Sequence, residues 1–123
     1  MASQKILIVE DESILALDLE DILTQAGYQV IGTAIDATET MGLLSQELPN
    51  LVLLDVLIGG AIDGIDLAEE IWEQYRLPMI FITASLDETT LQRIETSPAH
   101  GFIPKPFMVE HLLLTIKTLL EEK

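Results

Sequence analysis

The chain has 123 residues, no cysteine and a formal net charge of −15 at pH 7. This length suits one domain with its own hydrophobic core, and the lack of cysteine excludes disulfides and thiol chemistry. Only six residues are basic and they are scattered along the chain, which excludes a surface for direct nucleic-acid or membrane binding. A chain this acidic would instead attract divalent cations or a basic partner.

No apolar run approaches the ~20 residues that a membrane-spanning helix needs. Residues 1–5 contain no apolar segment of signal-peptide type, so we expect a cytoplasmic protein with no membrane partner. We also expect residues 1–123 to form a single domain, with no output domain in this chain.

Apolar runs and helical periodicity alternate five times along the chain. In chain order they predict strand 5–9, helix 14–25, strand 29–34, helix 37–48, strand 51–54, helix 65–75, strand 79–83, helix 87–96, strand 101–104 and helix 107–122. This alternation predicts an α/β fold, with a parallel sheet, right-handed crossovers and helices on both faces. Pro104 places the last strand at a sheet edge, because proline cannot donate a ladder hydrogen bond.

Acidic, hydroxyl and amine side chains follow or end four of these strands, in the order Glu10 and Asp11, Asp55, Thr83 and Lys105. The carboxyl ends of parallel strands line one edge of an open α/β sheet, and ligands bind there. The sequence therefore predicts that three acids, one hydroxyl and one amine meet in one crevice.

Three carboxylates within a few ångströms repel one another unless a cation lies between them. Carboxylate oxygens suit Mg²⁺, which keeps several waters and leaves coordination sites for a phosphoryl group. Lys105 supplies a point charge for phosphate, and the Thr83 hydroxyl can donate to a phosphoryl oxygen. The pattern indicates a site for Mg²⁺ and phosphate in which Asp55 is the available nucleophile.

The ordered motifs carry a family resemblance. They are ILIVEDE at 6–12, LVLLD at 51–55, DG at 63–64, FITA at 81–84 and KPF at 105–107. With them, the chain resembles a response-regulator receiver domain of two-component signal transduction. The resemblance implies a flavodoxin-like fold, in which a doubly wound sheet of five parallel strands has the order 2-1-3-4-5.

The resemblance also implies roles for single residues. Asp55 would accept a phosphoryl group from the phosphohistidine of a histidine kinase or histidine phosphotransfer protein, or from a small phosphodonor. Asp11, Asp55 and the backbone carbonyl of Leu57 would bind Mg²⁺, with Glu10 acting directly or through water.

Thr83 and Lys105 would hold the phosphoryl oxygens in such a domain. Phe102 would be the switch aromatic, turning inward as Thr83 moves toward the phosphate, and the Lys105–Pro106 peptide would be cis. The implied function is a phosphorylation-dependent switch that changes the face formed by helix 4, strand 5 and helix 5. That face is also the expected surface of a homodimer, and the chemistry is self-phosphorylation and self-dephosphorylation, without enzymatic turnover.

Three departures from the family pattern lie near the site. Gly59 occupies the position where the family usually has proline, four residues after Asp55, and the segment 55–63 is one residue longer than usual. Two glycines in this loop predict local mobility. Glu10 occupies a position where Asp is commoner, although its longer side chain should still reach a metal or its water.

Simpler interpretations remain for single residues. Asp55 alone would cap a turn, Glu10 and Asp11 would stabilise a helix start, Lys105 would form a salt bridge, and Phe102 would pack in the core. Alternative functions are a receiver module of a larger hybrid histidine kinase and an unphosphorylated interaction module. A flavodoxin-like enzyme is disfavoured, because its phosphate loop would be rich in Ser, Thr and Gly whereas residues 10–12 are all acidic.

The first helix carries two apolar residues outside its core-facing stripe. Ile14 and Leu17 lie beside Asp18 and Asp21, within one or two turns of Asp11. In the resembling family this helix docks the histidine-bearing helices of the phosphodonor. We therefore expect Ile14 and Leu17 to form the apolar centre of a docking surface.

Overall fold

The computed structural model describes residues 3–121. The elements are β1 Lys5–Val9, α1 Ser13–Gln25, β2 Gln29–Ala34, α2 Ala37–Leu44, β3 Leu51–Leu54, α3 Gly64–Tyr75, β4 Met79–Thr83, α4 Glu88–Glu95, β5 Gly101–Pro104 and α5 Val109–Glu121. All five strands have the predicted bounds. The expected last residue of α5, Glu122, lies outside the described residues.

Three helices are shorter than their sequence pattern predicts, and α4 loses only one residue at each end. Helix α2 ends at Leu44, and the Ser45 hydroxyl donates to the Gly42 carbonyl at 2.7 Å in the turn that follows. The residues that follow leave the helix and reach β1, where Glu47 pairs with Lys5 at 2.7 Å. Helix α5 begins at Val109, two residues later than predicted.

The five strands form one parallel sheet in the order β2-β1-β3-β4-β5. This is the doubly wound, flavodoxin-like order that the family resemblance implies. Strand β3 lies at the centre, and all four of its side chains are buried, as expected for a strand covered on both faces. Strand β5 lies at an edge, as Pro104 predicts.

Alternate strand residues supply two apolar cores, one on each face of the sheet. One core receives its helical side chains from α2, α3 and α4, and the other receives them from α1 and α5. Helix α1 buries Ala16, Leu19 and Leu23. Because helices cover both faces of the sheet, a ligand can reach the strands only at their ends.

Val109, the first residue of α5, is apolar but its side chain is 44% exposed. In the part of the chain that the structure describes, no helix is both long enough and apolar enough to span a bilayer.

Candidate functional site

The carboxyl ends of β1 and β3 place two acidic side chains together. The strands pair in register up to Val9 and Leu54, and the Asp55 amide continues the ladder by donating to the Val9 carbonyl at 3.0 Å. The Glu10 amide donates to Ala34 on the other side of β1 at 2.8 Å. Glu10 and Asp55 are only 3% and 6% exposed, so two carboxylates are buried at the switch point of the sheet.

Lys105 lies between these two carboxylates. Its Nζ is 2.7 Å from Asp55 Oδ2 and 3.1 Å from Glu10 Oε1, with Glu12 Oε1 farther away at 3.7 Å. The backbone positions this lysine, because its amide donates to the Thr83 carbonyl at 3.0 Å and extends the pairing of β4 with β5. A single ammonium therefore offsets the repulsion between two buried acids.

The pKa shifts follow from burial and from this pairing. Burial raises the pKa of Glu10 and the charge on Asp55 raises it further, although hydrogen bonds from Lys105 and the Glu12 amide oppose the shift. Burial acts to lower the pKa of Lys105, but hydrogen bonds to Asp55 and Glu10 outweigh it and the pKa is raised. Lys105 is therefore a cation at neutral pH.

Hydrogen bonds from backbone amides two residues further along the chain orient three of these polar side chains. Asp55 Oδ1 accepts from the Leu57 amide at 3.2 Å, and Glu10 Oε2 accepts from the Glu12 amide at 3.2 Å. The fully buried Thr83 hydroxyl accepts from the Ser85 amide at 3.0 Å. These contacts orient the side chains before any ligand arrives.

Asp11 does not join the buried acids. The turn closed by the Glu12 amide and Glu10 carboxylate leaves Asp11 exposed, and within residues 3–121 no three His, Cys, Asp or Glu side chains converge on one point. The sequence predicted that three carboxylates meet at this edge, whereas the structure brings together two carboxylates and one lysine. The donor chemistry of this edge, carboxylates with a backbone carbonyl at Leu57, still fits Mg²⁺.

The longer loop after β3 is tied to the turn between β2 and α2. The Gly59 amide donates to the Ile35 carbonyl at 3.2 Å, and Gly59 forms an isolated parallel bridge with Asp36. Gly60 has a φ of 93°, a conformation that side chains disfavour. A Cβ at Gly60 would lie 3.2 Å from Asp36 Cβ, whereas one at Gly59 would come no closer than 3.7 Å to the Ile35 carbonyl oxygen, so Gly60 is the glycine that this contact requires. The side chain of Leu57 is exposed.

Gly64 is a positioning element to which the sequence pattern assigned only a turn. A Cβ atom at this position would overlap the carbonyl oxygen of Asp55 and would lie 2.9 Å from Val56 Cα. Helix α3 can begin against the Asp55 peptide only because residue 64 has no side chain. The Asp-Gly motif was the available signal, but its packing partner could not be read from the sequence.

Phe102 lies on edge strand β5 and is 39% exposed. It lines a groove with Leu91 and Ile94 of α4, so its ring faces α4 rather than the core in this structure. The Lys105–Pro106 peptide is cis, as the resemblance implies.

Ile14 and Leu17 are 83% and 67% exposed. They line a groove of about 900 Å³ between α1 and the start of α5, and Phe107 and Val109 lie across from them. The groove also contacts Lys105, which connects it to the buried acids. Its acidic lining residues are Glu12, Asp18 and Asp21.

Comparison with known proteins agrees with this fold. A sequence model of the response regulator receiver domain matches residues 6–117. The chain is 32% identical over 114 residues to the transcriptional regulatory protein PdtaR of Mycobacterium tuberculosis, an alignment that covers 93% of this chain and 55% of that protein. The chain thus spans about half the length of the curated relatives it matches.

Solved structures agree as well. The signal receiver domain of a modulated diguanylate cyclase from Desulfovibrio desulfuricans superposes with a TM-score of 0.91 at 30% identity, over 98% of this chain and 96% of that one. The receiver domain of the response regulator PhyR from Erythrobacter litoralis gives 0.89 at 34% identity, over 100% and 94%. A flavodoxin-like sheet with buried acids at its switch point defines the class, and this chain belongs to the response regulator receiver domain family.

Proposed function

We propose that the chain is a phosphorylation-dependent signalling switch whose phosphoacceptor is Asp55. The observation that carries this proposal is the buried Asp55 carboxylate, held 2.7 Å from Lys105 Nζ at the end of the central strand. A purely structural acid at a turn would not need a buried cationic partner that comes from another strand. In the proposed function a carboxylate oxygen of Asp55 is the nucleophile.

The transfer step follows from this geometry. An Asp55 carboxylate oxygen attacks the phosphorus of a phosphohistidine or of a small phosphodonor; the new P–O bond forms while the P–N bond, or the donor's P–O bond, breaks. Lys105 then has a phosphoryl oxygen as a new partner for its charge. Thr83 can donate its hydroxyl to a phosphoryl oxygen, because its present contact with Ser85 uses only the acceptor side of that hydroxyl.

A divalent cation belongs to the same proposal. Asp11, Asp55 and the Leu57 carbonyl would hold Mg²⁺, with Glu10 acting directly or through water. When bound, Mg²⁺ supplies charge neutralisation for the phosphoryl oxygens. The chemistry changes the protein itself, so we propose a switch without enzymatic turnover.

The proposed phosphodonor is a histidine kinase or a histidine phosphotransfer protein, and the proposed compartment is the cytoplasm. The groove lined by Ile14, Leu17 and Val109 supports the partner assignment, because it adjoins Lys105 and has an apolar floor with acidic neighbours. Such a surface fits a helix that presents apolar side chains flanked by basic ones. The face formed by α4, β5 and α5, where Phe102 is exposed, is the proposed switching and homodimer surface.

A stable phosphoryl mimic tests the function without a donor. Beryllofluoride with Mg²⁺ should raise the melting temperature of the wild type, because a ligand that binds only the folded state stabilises it. Asp55→Asn should show no rise, and neither should the wild type in EDTA. An equal rise in Asp55→Asn would assign the binding to another site, and no rise in any sample would favour the unphosphorylated interaction module.

A further inference from the structure

Helix α3 begins in direct contact with the peptide that carries Asp55. The Gly64 amide donates to the Val56 carbonyl at 2.7 Å, and the missing Cβ of Gly64 leaves room for the Asp55 carbonyl. Any movement of the first turn of α3 must therefore move the Asp55 peptide or break this contact.

Arg93 of α4 forms ion pairs with the first turn of α3. Its Nη1 lies 2.7 Å from Asp63 Oδ2, and its Nη2 lies 3.2 Å from Asp63 Oδ1 and 3.3 Å from Asp66 Oδ1. Asp63 is the N-cap of α3, because its Oδ1 also accepts from the Asp66 amide at 2.9 Å. A bidentate guanidinium–carboxylate pair fixes the relative orientation of the two side chains as well as the distance between them.

The electrostatics of Asp63 agree with a formed pair. Burial alone would raise the pKa of Asp63, but hydrogen bonds from Arg93 and from the Asp66 amide hold it below its usual value. The Arg93 side chain is 41% exposed, so the stabilisation from the pair is modest and is screened by salt. The pair also helps to fix where α4 lies, because Ile94 is the one buried side chain that α4 contributes.

We infer that Arg93 is a positioning residue for Asp55. The line of contacts runs from Arg93 through the Asp63 carboxylate to Gly64 and then to the Asp55 peptide, which connects α4 with the phosphoacceptor through the start of α3. The predicted effect on rate rests on the proposed function, whereas the effect on the Asp55 backbone does not.

Four variants separate this role from capping and from net charge. Arg93→Gln removes the ion pair with Asp63, and Arg93→Lys keeps the positive charge but cannot form the bidentate hydrogen bonds. Asp63→Ser keeps an N-cap acceptor but loses the ion pair. Arg76→Gln is the matched control, because it removes an arginine that lies over Trp72 at the opposite end of α3.

Two readouts are measured on each variant: the backbone amide resonances of residues 55, 56 and 64, and the rate at which acetyl phosphate with Mg²⁺ labels Asp55. We expect Arg93→Gln and Asp63→Ser to shift these resonances and to slow labelling about two- to fivefold, the range that one partly exposed ion pair can supply. Arg93→Lys should fall between wild type and Arg93→Gln, and Arg76→Gln should match wild type. Adding Asp63→Ser to Arg93→Gln should change little more.

The inference is overturned if Arg93→Gln shifts the three resonances no more than Arg76→Gln does, or if the resonances shift while labelling stays at the wild-type rate. If wild type itself is never labelled, the proposed function fails and the resonances alone decide: a shift confined to the Arg93 and Asp63 variants supports the positioning role, and its absence overturns it. If Arg93→Gln does not fold, Arg93→Lys and Asp63→Ser are judged by the same two criteria.

Discussion

Lys105 Nζ lies 2.7 Å from Asp55 Oδ2, with Glu10 Oε1 on its other side at 3.1 Å. The cation that the sequence predicts for the phosphate therefore already holds the carboxylate that would be phosphorylated. Under the proposed function, phosphorylation replaces one of two acidic partners of this lysine by a phosphoryl group. The same pair also stabilises the fold, because without it two buried acids would face each other.

The first prediction concerns the loss of that lysine. Lys105→Ala should lower the free energy of unfolding by about 2 kcal/mol, less than a fully enclosed pair would lose, because it leaves two acids without their cation. Urea unfolding at pH 7 measures this, with Lys117→Ala as the control at an exposed position that should stay within about 0.5 kcal/mol of wild type. Adding Glu10→Gln should recover part of the loss. Equal stabilities for Lys105→Ala and Lys117→Ala would contradict the prediction.

The second prediction concerns pH. The pKa of Glu10 is raised above its usual value of 4.5, so the folded state holds this proton more tightly than the unfolded state does. The contribution of Glu10 to stability therefore falls as pH rises from about that value through the raised folded pKa. Glu10→Gln should lose this fall, and its stability relative to wild type should increase with pH across the window.

Urea unfolding of both proteins between pH 4.5 and pH 7, a window set by the usual carboxyl pKa, measures that difference. The lowered pKa of Asp63 acts in the opposite sense but at more acidic pH, because its contribution is lost only as pH falls below its usual value of 3.8. A difference between Glu10→Gln and wild type that is flat, or that declines with pH, would show that Glu10 is not held as described.

The third prediction concerns the docking groove. The assay uses a histidine kinase that phosphorylates the wild type. Ile14→Ala and Leu17→Ala should each slow phosphoryl transfer from this kinase by about tenfold, because truncating a central apolar anchor costs about 1–3 kcal/mol of binding. Labelling by acetyl phosphate needs no docking and should be unchanged. Leu114→Ala is the matched control, since Leu114 is 63% exposed on α5 and does not line the groove. Equal losses with both donors would remove the docking role.

The fourth prediction compares two glycines. Gly64→Ala should destabilise the fold by about 1–3 kcal/mol, because the new methyl group meets the Asp55 backbone and neither segment can move away easily. Gly42→Ala, in the last turn of α2 with nothing near its Cβ position, should stabilise by about 0.5–1 kcal/mol. Thermal or urea unfolding measures both, and a neutral Gly64→Ala would contradict the close contact.

The fold could be predicted from sequence because its signals are local. Four of the five strands are apolar runs that end in or are followed by a polar residue, and each helix has a periodic apolar stripe, so the alternation predicts the parallel sheet. The end of α2 could not be predicted, because it depends on Glu47 and Asn50 meeting Lys5 across the fold. The start of α5 at Val109 was predicted two residues too early, because the apolar pattern begins before the helix does.

The sequence predicted which residues lie at the candidate site better than it predicted how they are arranged there. The strand-end rule identified Glu10, Asp55, Thr83 and Lys105 as neighbours, since parallel strands share one carboxyl edge. It could not show that Asp11 is exposed whereas its neighbour Glu10 is buried. The Arg93 and Asp63 pair joins residues 30 positions apart, and no short motif encodes such a contact.

Intact mass after incubation with acetyl phosphate and Mg²⁺ shows whether Asp55 is the phosphoacceptor. We predict that wild type gains the mass of one phosphoryl group, that the gain disappears in EDTA, and that Asp55→Asn gains nothing. Asp11→Asn should gain less than wild type, because the proposed Mg²⁺ donor set loses a carboxylate. Labelling of Asp55→Asn to the same extent as wild type would contradict the assignment of Asp55 as the phosphoacceptor.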